Sequence, residues 1–166
     1  MAITKIQSES LNLADTYDFT GTVTGAGGVN TPAFLASSSG EVTVPNITNT
    51  KLTNYTQEIF DTDNCYDASN SRFTPNVAGK YFFSAITGTY PNWTATSMAT
   101  HIQKNGTTLG YTNLYTEGYF HGIITAICEM NGSSDYVEVY TYQNSGVSRQ
   151  FDGGTAIWFG GYKIIT

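Results

Sequence analysis

Charged residues are scarce in this sequence of 166 residues. Only 12% of them are Asp, Glu, Lys or Arg, and the seven Lys and Arg residues are scattered along the chain. A protein that binds a phosphate backbone needs clustered cations, so the sequence argues against nucleic acid as a partner. The formal net charge of −6 is of the kind that keeps a protein in solution, and it specifies no ligand.

Cysteine and long apolar runs are also scarce. The two cysteines, Cys65 and Cys128, are too few for a disulfide framework, and we expect both to be reduced thiols. The first residues, MAITKIQSESLNLAD, lack the basic and apolar regions of a secretory signal. No apolar run is long enough to span a bilayer, so we expect no membrane insertion.

Strand-forming residues are abundant, whereas the helix formers Leu, Ala, Glu and Lys are few. Aromatic residues make up 14% of the chain, and Thr, Gly, Ser and Asn dominate the remainder. Thr and Tyr suit pleated, half-buried surfaces, and no segment repeats its apolar residues at a helical period. The composition predicts an all-β fold.

Residues 1–24 differ from the rest of the chain. Apolar and polar residues alternate there as in a strand, but the segment is too short to build its own core. The apolar residues concerned are Leu11, Leu13, Tyr17 and Phe19. The following stretch GAGGVNTP is typical of a flexible joint. We therefore divide the chain into an N-terminal arm, residues 1–31, and a body, residues 32–166.

The body contains a strand that is apolar on both sides. In RFTPNVAGKYFFSA, Pro75 and Gly79 bracket a turn, after which Tyr81 and Phe83 fall on one side and Phe82 on the other. Such a strand lies between two layers, or in a sheet that a neighbouring subunit covers.

Two Asn-Gly pairs predict hairpins. Asn105-Gly106 separates alternating runs in SMATHIQKNGTTLGYTNL, and Asn131-Gly132 stands in the middle of FHGIITAICEMNGSSDYVEVYTYQNSG. Strands that recur about every ten residues with turns between them indicate a sandwich or barrel.

Several segments of the body resemble the complement C1q-like globular head, whose jelly roll is shared with the tumour-necrosis-factor superfamily. They are Tyr66-Asp67, Arg72-Phe73-Thr74, Gly79-Lys80-Tyr81-Phe82-Phe83, Lys104-Asn105-Gly106 and the closing stretch FDGGTAIWFGG. The resemblance covers about residues 32–166. It implies a two-sheet antiparallel jelly roll of about ten strands that assembles as a homotrimer. It also implies that core or trimer packing involves Phe34, Tyr81, Phe83, Trp158 and Phe159.

The arm resembles the N-terminal segments of virion structural proteins of marine tailed bacteriophages. This resemblance implies that residues 1–31 attach the protein to other virion proteins through Leu11, Leu13, Tyr17 and Phe19. It places the protein in a virion that is assembled in the cytoplasm of the host. The chain has no collagen-like Gly-X-Y run, which argues against a secreted animal protein.

The polar motifs give no catalytic site. DTDNCYD begins like a calcium loop, but the sixth and twelfth positions, where such loops need Gly and Glu, are Tyr66 and Arg72. A looser calcium site from Asp61, Asp63 and Asp67 remains as an alternative to a solvated loop; otherwise we expect no cofactor. The two histidines, His101 and His121, stand at no metal-ligand spacing, and we expect both to be structural.

Two aromatic stretches are candidates for contact with a ligand or receptor. The first holds Tyr90, Asn92 and Trp93, and the second holds Tyr111, Tyr115 and Tyr119. Flat rings beside Asn and Thr suit saccharides and protein hot spots, because rigid aromatics lose little entropy on binding. The alternative is that these rings pack in the trimer interface or support loops.

Taken together, these features predict a non-enzymatic virion protein, a trimeric module of a tail fibre or tail tip that contacts a host glycan or protein. One alternative is a capsid decoration (cement) protein, which a body with only a short arm also suits. A soluble lectin-like or cytokine-like head is a further alternative, and it would require secretion. A polysaccharide-degrading enzyme would need a pair of carboxylates, for which the candidates are Asp135 with Glu138 and Glu117 with Asp152.

Overall fold

The computed structural model describes residues 29–89, 94–117 and 121–165, with backbone alone for residues 94–96 and 114–117. Most of the predicted arm, including Leu11, Leu13, Tyr17 and Phe19, lies outside these residues. The described chain is built from thirteen strands without a helix. It therefore offers no helix long and apolar enough to cross a membrane in these three segments. The strands are β1 (Ala33–Ser37), β2 (Val42–Val44), β3 (Thr50–Lys51), β4 (Gln57–Asp61), β5 (Tyr66–Asp67), β6 (Arg72–Phe73), β7 (Gly79–Gly88), β8 (Thr94–Lys104), β9 (Thr107–Glu117), β10 (His121–Met130), β11 (Val137–Gln143), β12 (Arg149–Phe151) and β13 (Trp158–Lys163).

The strands form two antiparallel sheets and a short ribbon. A five-stranded sheet has the order β10-β7-β13-β1-β4. A six-stranded sheet has the order β5-β6-β11-β8-β9, with β3 also paired to β11. The ribbon consists of β12 and β2. Each sheet buries one side against the other, which is the arrangement of a sandwich.

Strand β7 has the alternation that the sequence predicts. Tyr81, Phe83 and Ala85 are fully buried between the sheets, whereas Phe82 and Ile86 point away from the six-stranded sheet. Neighbouring β13 approaches closely at Gly161, where a Cβ atom would stand 2.5 Å from the Phe83 ring. A glycine at this position therefore makes room for the aromatic core.

The core is a cluster of aromatic rings contributed by both sheets. Phe34 of β1 stacks on Tyr66 and Phe73, with ring centroids 4.7 and 4.4 Å away, and meets Phe159 edge-on at 4.8 Å. The buried hydroxyl groups are satisfied, since Tyr66 Oη donates to the Tyr55 carbonyl at 2.7 Å. Pairs in these geometries add stability beyond the area that they bury.

The first predicted hairpin is present. Lys104 pairs with Thr107 across the turn, and Asn105 and Gly106 have φ values of 50° and 78°, as a type I′ turn requires. Asp135 fastens this turn to the loop before β11. Its carboxylate binds Lys104 Nζ at 2.9 Å and accepts hydrogen bonds from Asn105 Nδ2 and Asn131 N.

The second predicted hairpin is wrong. Strand β10 pairs with β7 in the five-stranded sheet, whereas β11 pairs with β8, β6 and β3 in the six-stranded sheet. The loop that contains Asn131-Gly132 therefore carries the chain across the sandwich. The Asn-Gly pair does make a bend, with Gly132 at φ 72°, but a bend alone does not decide which strands pair.

Candidate interaction surfaces

The outward side of the five-stranded sheet is largely apolar, and we call it the apolar face. Strand register places these side chains on it: Leu35, Phe60, Phe82, Ile86, Ile123, Ile127, Trp158 and Tyr162. Ile127 and Ile123 are about 60% exposed, and Phe60 and Tyr162 more than 40%. Side chains of this size so exposed on one continuous sheet mark a contact surface rather than an ordinary solvated face.

A depression of about 330 Å³ lies in the apolar face where β1, β4, β7 and β13 meet. Its wall includes Asn30, Leu35, Phe60, Phe82, Trp158 and Tyr162. The Phe82 and Tyr162 rings lie side by side with centroids 5.4 Å apart. A depression with such walls suits an apolar side chain.

The outward side of the six-stranded sheet is rich in tyrosine and polar groups, and we call it the tyrosine face. Directly opposite residues of an antiparallel ladder share a side of the sheet. Three such rows cross β11, β8 and β9: Tyr142–Ala99–Asn113, Tyr140–His101–Tyr111 and Glu138–Gln103–Thr108. Tyr111 is 63% exposed, the largest exposure among the aromatic side chains that the structure describes.

The His101 ring packs against the Tyr111 ring. Their rings stack with centroids 5.6 Å apart and an angle of 24° between planes. Both imidazole nitrogens are buried and have no hydrogen-bond partner among the described residues. Burial lowers the pKa of His101, because it takes the imidazole out of water and so disfavours the charged form.

A buried carboxylate organises the other end of the tyrosine face. Glu138, only 2% exposed, binds Lys51 Nζ at 2.5 Å and Arg72 Nε at 2.7 Å, and it accepts a hydrogen bond from Tyr140 Oη. The Arg72 guanidinium lies 4.0 Å above the Tyr136 ring centre. Burial alone would raise the pKa of Glu138, but the hydrogen bonds from Lys51 and Arg72 outweigh it and lower that pKa.

The acidic loop between β4 and β5 uses its carboxylates to hold its own backbone. Asp61 accepts hydrogen bonds from the N–H groups of Tyr66 and Asp63, and Asp67 accepts one from the N–H of Ser69. The bonds from Asp63 and Ser69, each two residues beyond its acceptor, are those of Asx turns, and the bond from Tyr66 closes the loop. Among residues 29–89, 94–117 and 121–165, no three His, Cys, Asp or Glu side chains are grouped as metal ligands.

Solved structures of known proteins share this architecture. The tumour-necrosis-factor protein Eiger of S. frugiperda matches 80% of this chain and 91% of its own at 10% identity, with a TM-score of 0.62. The globular domain of zebrafish complement 1qA matches 80% of this chain and 96% of its own at 13% identity, with a TM-score of 0.60. The fold is a jelly roll of the C1q and tumour-necrosis-factor type.

The same jelly roll occurs in the vertex protein P5 of phage PRD1. P5 matches 82% of this chain and 99% of its own at 13% identity, with a TM-score of 0.62. No protein-family model and no curated protein sequence matches the chain. At such low identity the similarity establishes the fold, and the resemblance drawn from the sequence is confirmed to that extent.

The residues that the sequence assigns to core or trimer packing lie in two different places in the structure. Phe34, Tyr81, Phe83 and Phe159 lie in the core of the jelly roll. Trp158 is half-buried and lines the depression of the apolar face. The packing set therefore contains four core residues and one residue of an outward surface.

Of the predicted contact residues, the structure describes the side chain of Tyr111 alone. It stands in the middle of the tyrosine face. Tyr90, Asn92, Trp93 and Tyr119 lie outside the described residues, as does the side chain of Tyr115, whose backbone belongs to β9. In the carboxylate pairs, Glu138 and Asp135 are each bound to cations, and the side chain of Glu117 lies outside the described residues.

Sequence reasoning missed most of the tyrosine face. Tyr136, Tyr140 and Tyr142 were not proposed as contacts, and neither was His101. A signal was present in DYVEVYTYQ, where every second residue from Tyr136 to Tyr142 is polar or aromatic and the residues between are Val or Thr. That period places one set in the core and the other on the outward side of the jelly roll.

Proposed function

We propose that this protein is a homotrimeric, non-enzymatic structural component of a virion. Each subunit would contribute one jelly roll, and the arm, residues 1–31, would attach the trimer to other virion proteins. The body would project outward to contact the host surface. The observation that carries the proposal is the apolar face, which an isolated subunit leaves in water.

The exposure of the apolar face supports self-association. Ile123 and Ile127 stand on the edge strand β10, and the depression lies toward the opposite edge of the same sheet. One subunit can therefore place its edge on the sheet of the next, and such a contact closes into a ring when the rotation is right. The resemblance to C1q-like heads suggests three copies for that ring.

Two positions on the virion have separate support. A tail-fibre or tail-tip position is supported by the exposed tyrosines, which suit contact with a host surface. A capsid position, as in a decoration protein, is supported by the similarity to the vertex protein P5 of PRD1. Both positions place the protein on the outside of the particle with the arm directed toward it. Labelling particles with antibody against the body and imaging them by electron microscopy distinguishes the two.

The trimer is tested by measuring mass in solution. The protein should have three times the subunit mass of 18.0 kDa by light scattering at micromolar concentration. Ile127→Glu should give folded monomers, because it buries a charge in the interface. Val147→Glu is the matched control, since Val147 is 53% exposed and stands outside the apolar face. A monomeric parent protein, or a trimer that survives Ile127→Glu, would contradict the proposal.

The role of the arm is tested by deletion. Protein that lacks residues 1–31 should still form trimers but should not appear in purified particles. Incorporation of the shortened protein at the normal level would move the attachment site into the body.

A further inference from the structure

We propose that the tyrosine face binds a neutral oligosaccharide, with the Tyr111 ring as the platform on which one sugar ring stacks. This inference rests on the proposed function, because it assigns the chemistry of host contact to a particular surface. It goes further in naming the ligand class and the residues that receive it.

Tyr111 offers a flat apolar surface that is already ordered. One side of its ring stacks on His101, and 63% of the residue is exposed to solvent. The imidazole is held in the middle of the sheet between β11 and β9, so the tyrosine rests on a fixed support. A ring fixed before binding loses little conformational entropy when a ligand covers it. The C–H side of a pyranose ring is an apolar surface of matching size.

Polar groups stand in the rows on both sides of the platform. Ser97 Oγ donates to Asn113 Oδ1 at 2.9 Å, which orients the amide, and the Asn113 NH₂ group donates to no described residue. On the other side, Gln103 Nε2 donates to Thr108 Oγ1 at 3.3 Å, so the hydroxyl of Thr108 can still donate. An apolar platform with a few oriented donors is the usual composition of a small-ligand site.

The described charges of the tyrosine face are balanced, which argues for a neutral ligand. Lys51 and Arg72 both bind the Glu138 carboxylate. Asp67 stands directly opposite Arg72 in the β5–β6 ladder. Among the side chains that the structure describes on this face, two cations thus accompany two anions, and neither cation is left uncompensated for a phosphate, a sulfate or an acidic sugar.

The tyrosine face and the apolar face lie on opposite sides of the sandwich. The aromatic core separates them, so a trimer that closes through the apolar face leaves the tyrosine face open. Sugar binding and trimer formation are therefore independent properties that separate measurements can test.

The test uses the full-length protein and three neutral probes: maltohexaose, cellohexaose and chitohexaose. Saturation-transfer NMR followed by titration should detect at least one of them with a Kd of about 1 mM or tighter. Tyr111→Ala should weaken that binding about tenfold or more, because the platform is lost. Tyr111→Phe keeps the ring and should stay within about twofold of the parent protein.

Val147→Ala is the control, because Val147 is 53% exposed and lies between β11 and β12, outside the rows of the tyrosine face. It should leave sugar binding unchanged. The inference is overturned if the parent protein binds none of the three probes, if Tyr111→Ala binds as well as the parent, or if polygalacturonate binds more tightly than every neutral probe. Light scattering on each variant measures trimer formation separately from sugar binding. The proposal of a trimer and the proposal of a sugar site can therefore fail independently.

Discussion

The two outward faces of the jelly roll are built on similar antiparallel ladders and present opposite chemistry. The apolar face carries isoleucine and aromatic side chains, with Ile127 62% exposed. The tyrosine face carries rings with hydroxyl groups beside a buried ion cluster in which Glu138 binds two cations. Both sheets are antiparallel. The side chains that alternate outward therefore set the difference between the two faces.

Two adjacent phenylalanines of β7 allow the largest test of this difference. Phe83→Ala removes a ring that is fully buried between the sheets, and it should lower the free energy of unfolding by about 3–5 kcal/mol. Phe82→Ala removes a ring on the apolar face, and it should mainly weaken association of subunits. Urea unfolding and light scattering on a dilution series measure the two effects. Equal losses of unfolding free energy for both variants would mean that the two sides of β7 do not differ as described.

A second test compares a carboxylate from each sheet. Glu138→Gln leaves Lys51 and Arg72 without their anion, and it should lower the free energy of unfolding by about 1–3 kcal/mol. Glu129→Gln changes an exposed glutamate on β10, and its effect should stay within about 0.5 kcal/mol. Chemical denaturation at neutral pH gives both values. If Glu138→Gln lowered the free energy of unfolding by less than Glu129→Gln does, the Glu138 cluster would contribute nothing to the stability of the fold.

A third and smaller test uses pH. The pKa of His101 is lower in the folded protein than in the unfolded chain, where it is about 6.5. Below about pH 6.5 the unfolded chain therefore binds more protons than the folded protein does. The contribution of His101 to the free energy of unfolding should be complete above that pH and should decline as the pH falls below it. Denaturation midpoints at about pH 7.5 and pH 5.5 should differ less for His101→Phe than for the parent protein.

At lower pH the stability depends on carboxyl groups, since the pKa values of Asp67, Asp135 and Glu138 are all lowered in the folded protein. The contribution of Glu138 is present above the unfolded value of about 4.3 and is lost as the pH falls further. Glu138→Gln should reduce the dependence of stability on pH in this range and leave it unchanged near the pKa of His101. If His101→Phe changed the dependence of stability on pH only below pH 4, the assignment of the two pH ranges to His101 and Glu138 would be wrong.

Much of the fold follows from local pattern. Alternation in β7 predicts which residues enter the core, because a strand has a period of two whatever its partners are. The Asn105-Gly106 hairpin is equally local, since both residues need positive φ.

The parts that failed depend on partners distant in sequence. The Asn131-Gly132 bend has the same local signature in a hairpin and in a crossover, and the pairing of β10 with β7 decides between them. The tyrosine face was recognised only at Tyr111, because Tyr140 and His101 are brought beside it by three strands that the sequence separates. Trp158 was assigned to core or trimer packing without a choice between them, because the sequence pattern did not tell an inward side chain from an outward one.

The place of β13 has a consequence for synthesis of the protein. This strand follows the other described strands in sequence, yet it lies in the middle of the five-stranded sheet, hydrogen-bonded to β7 and to β1. Strands β7 and β1 belong to one sheet only through β13. The five-stranded sheet can therefore be completed only after residues 158–163 have been synthesised.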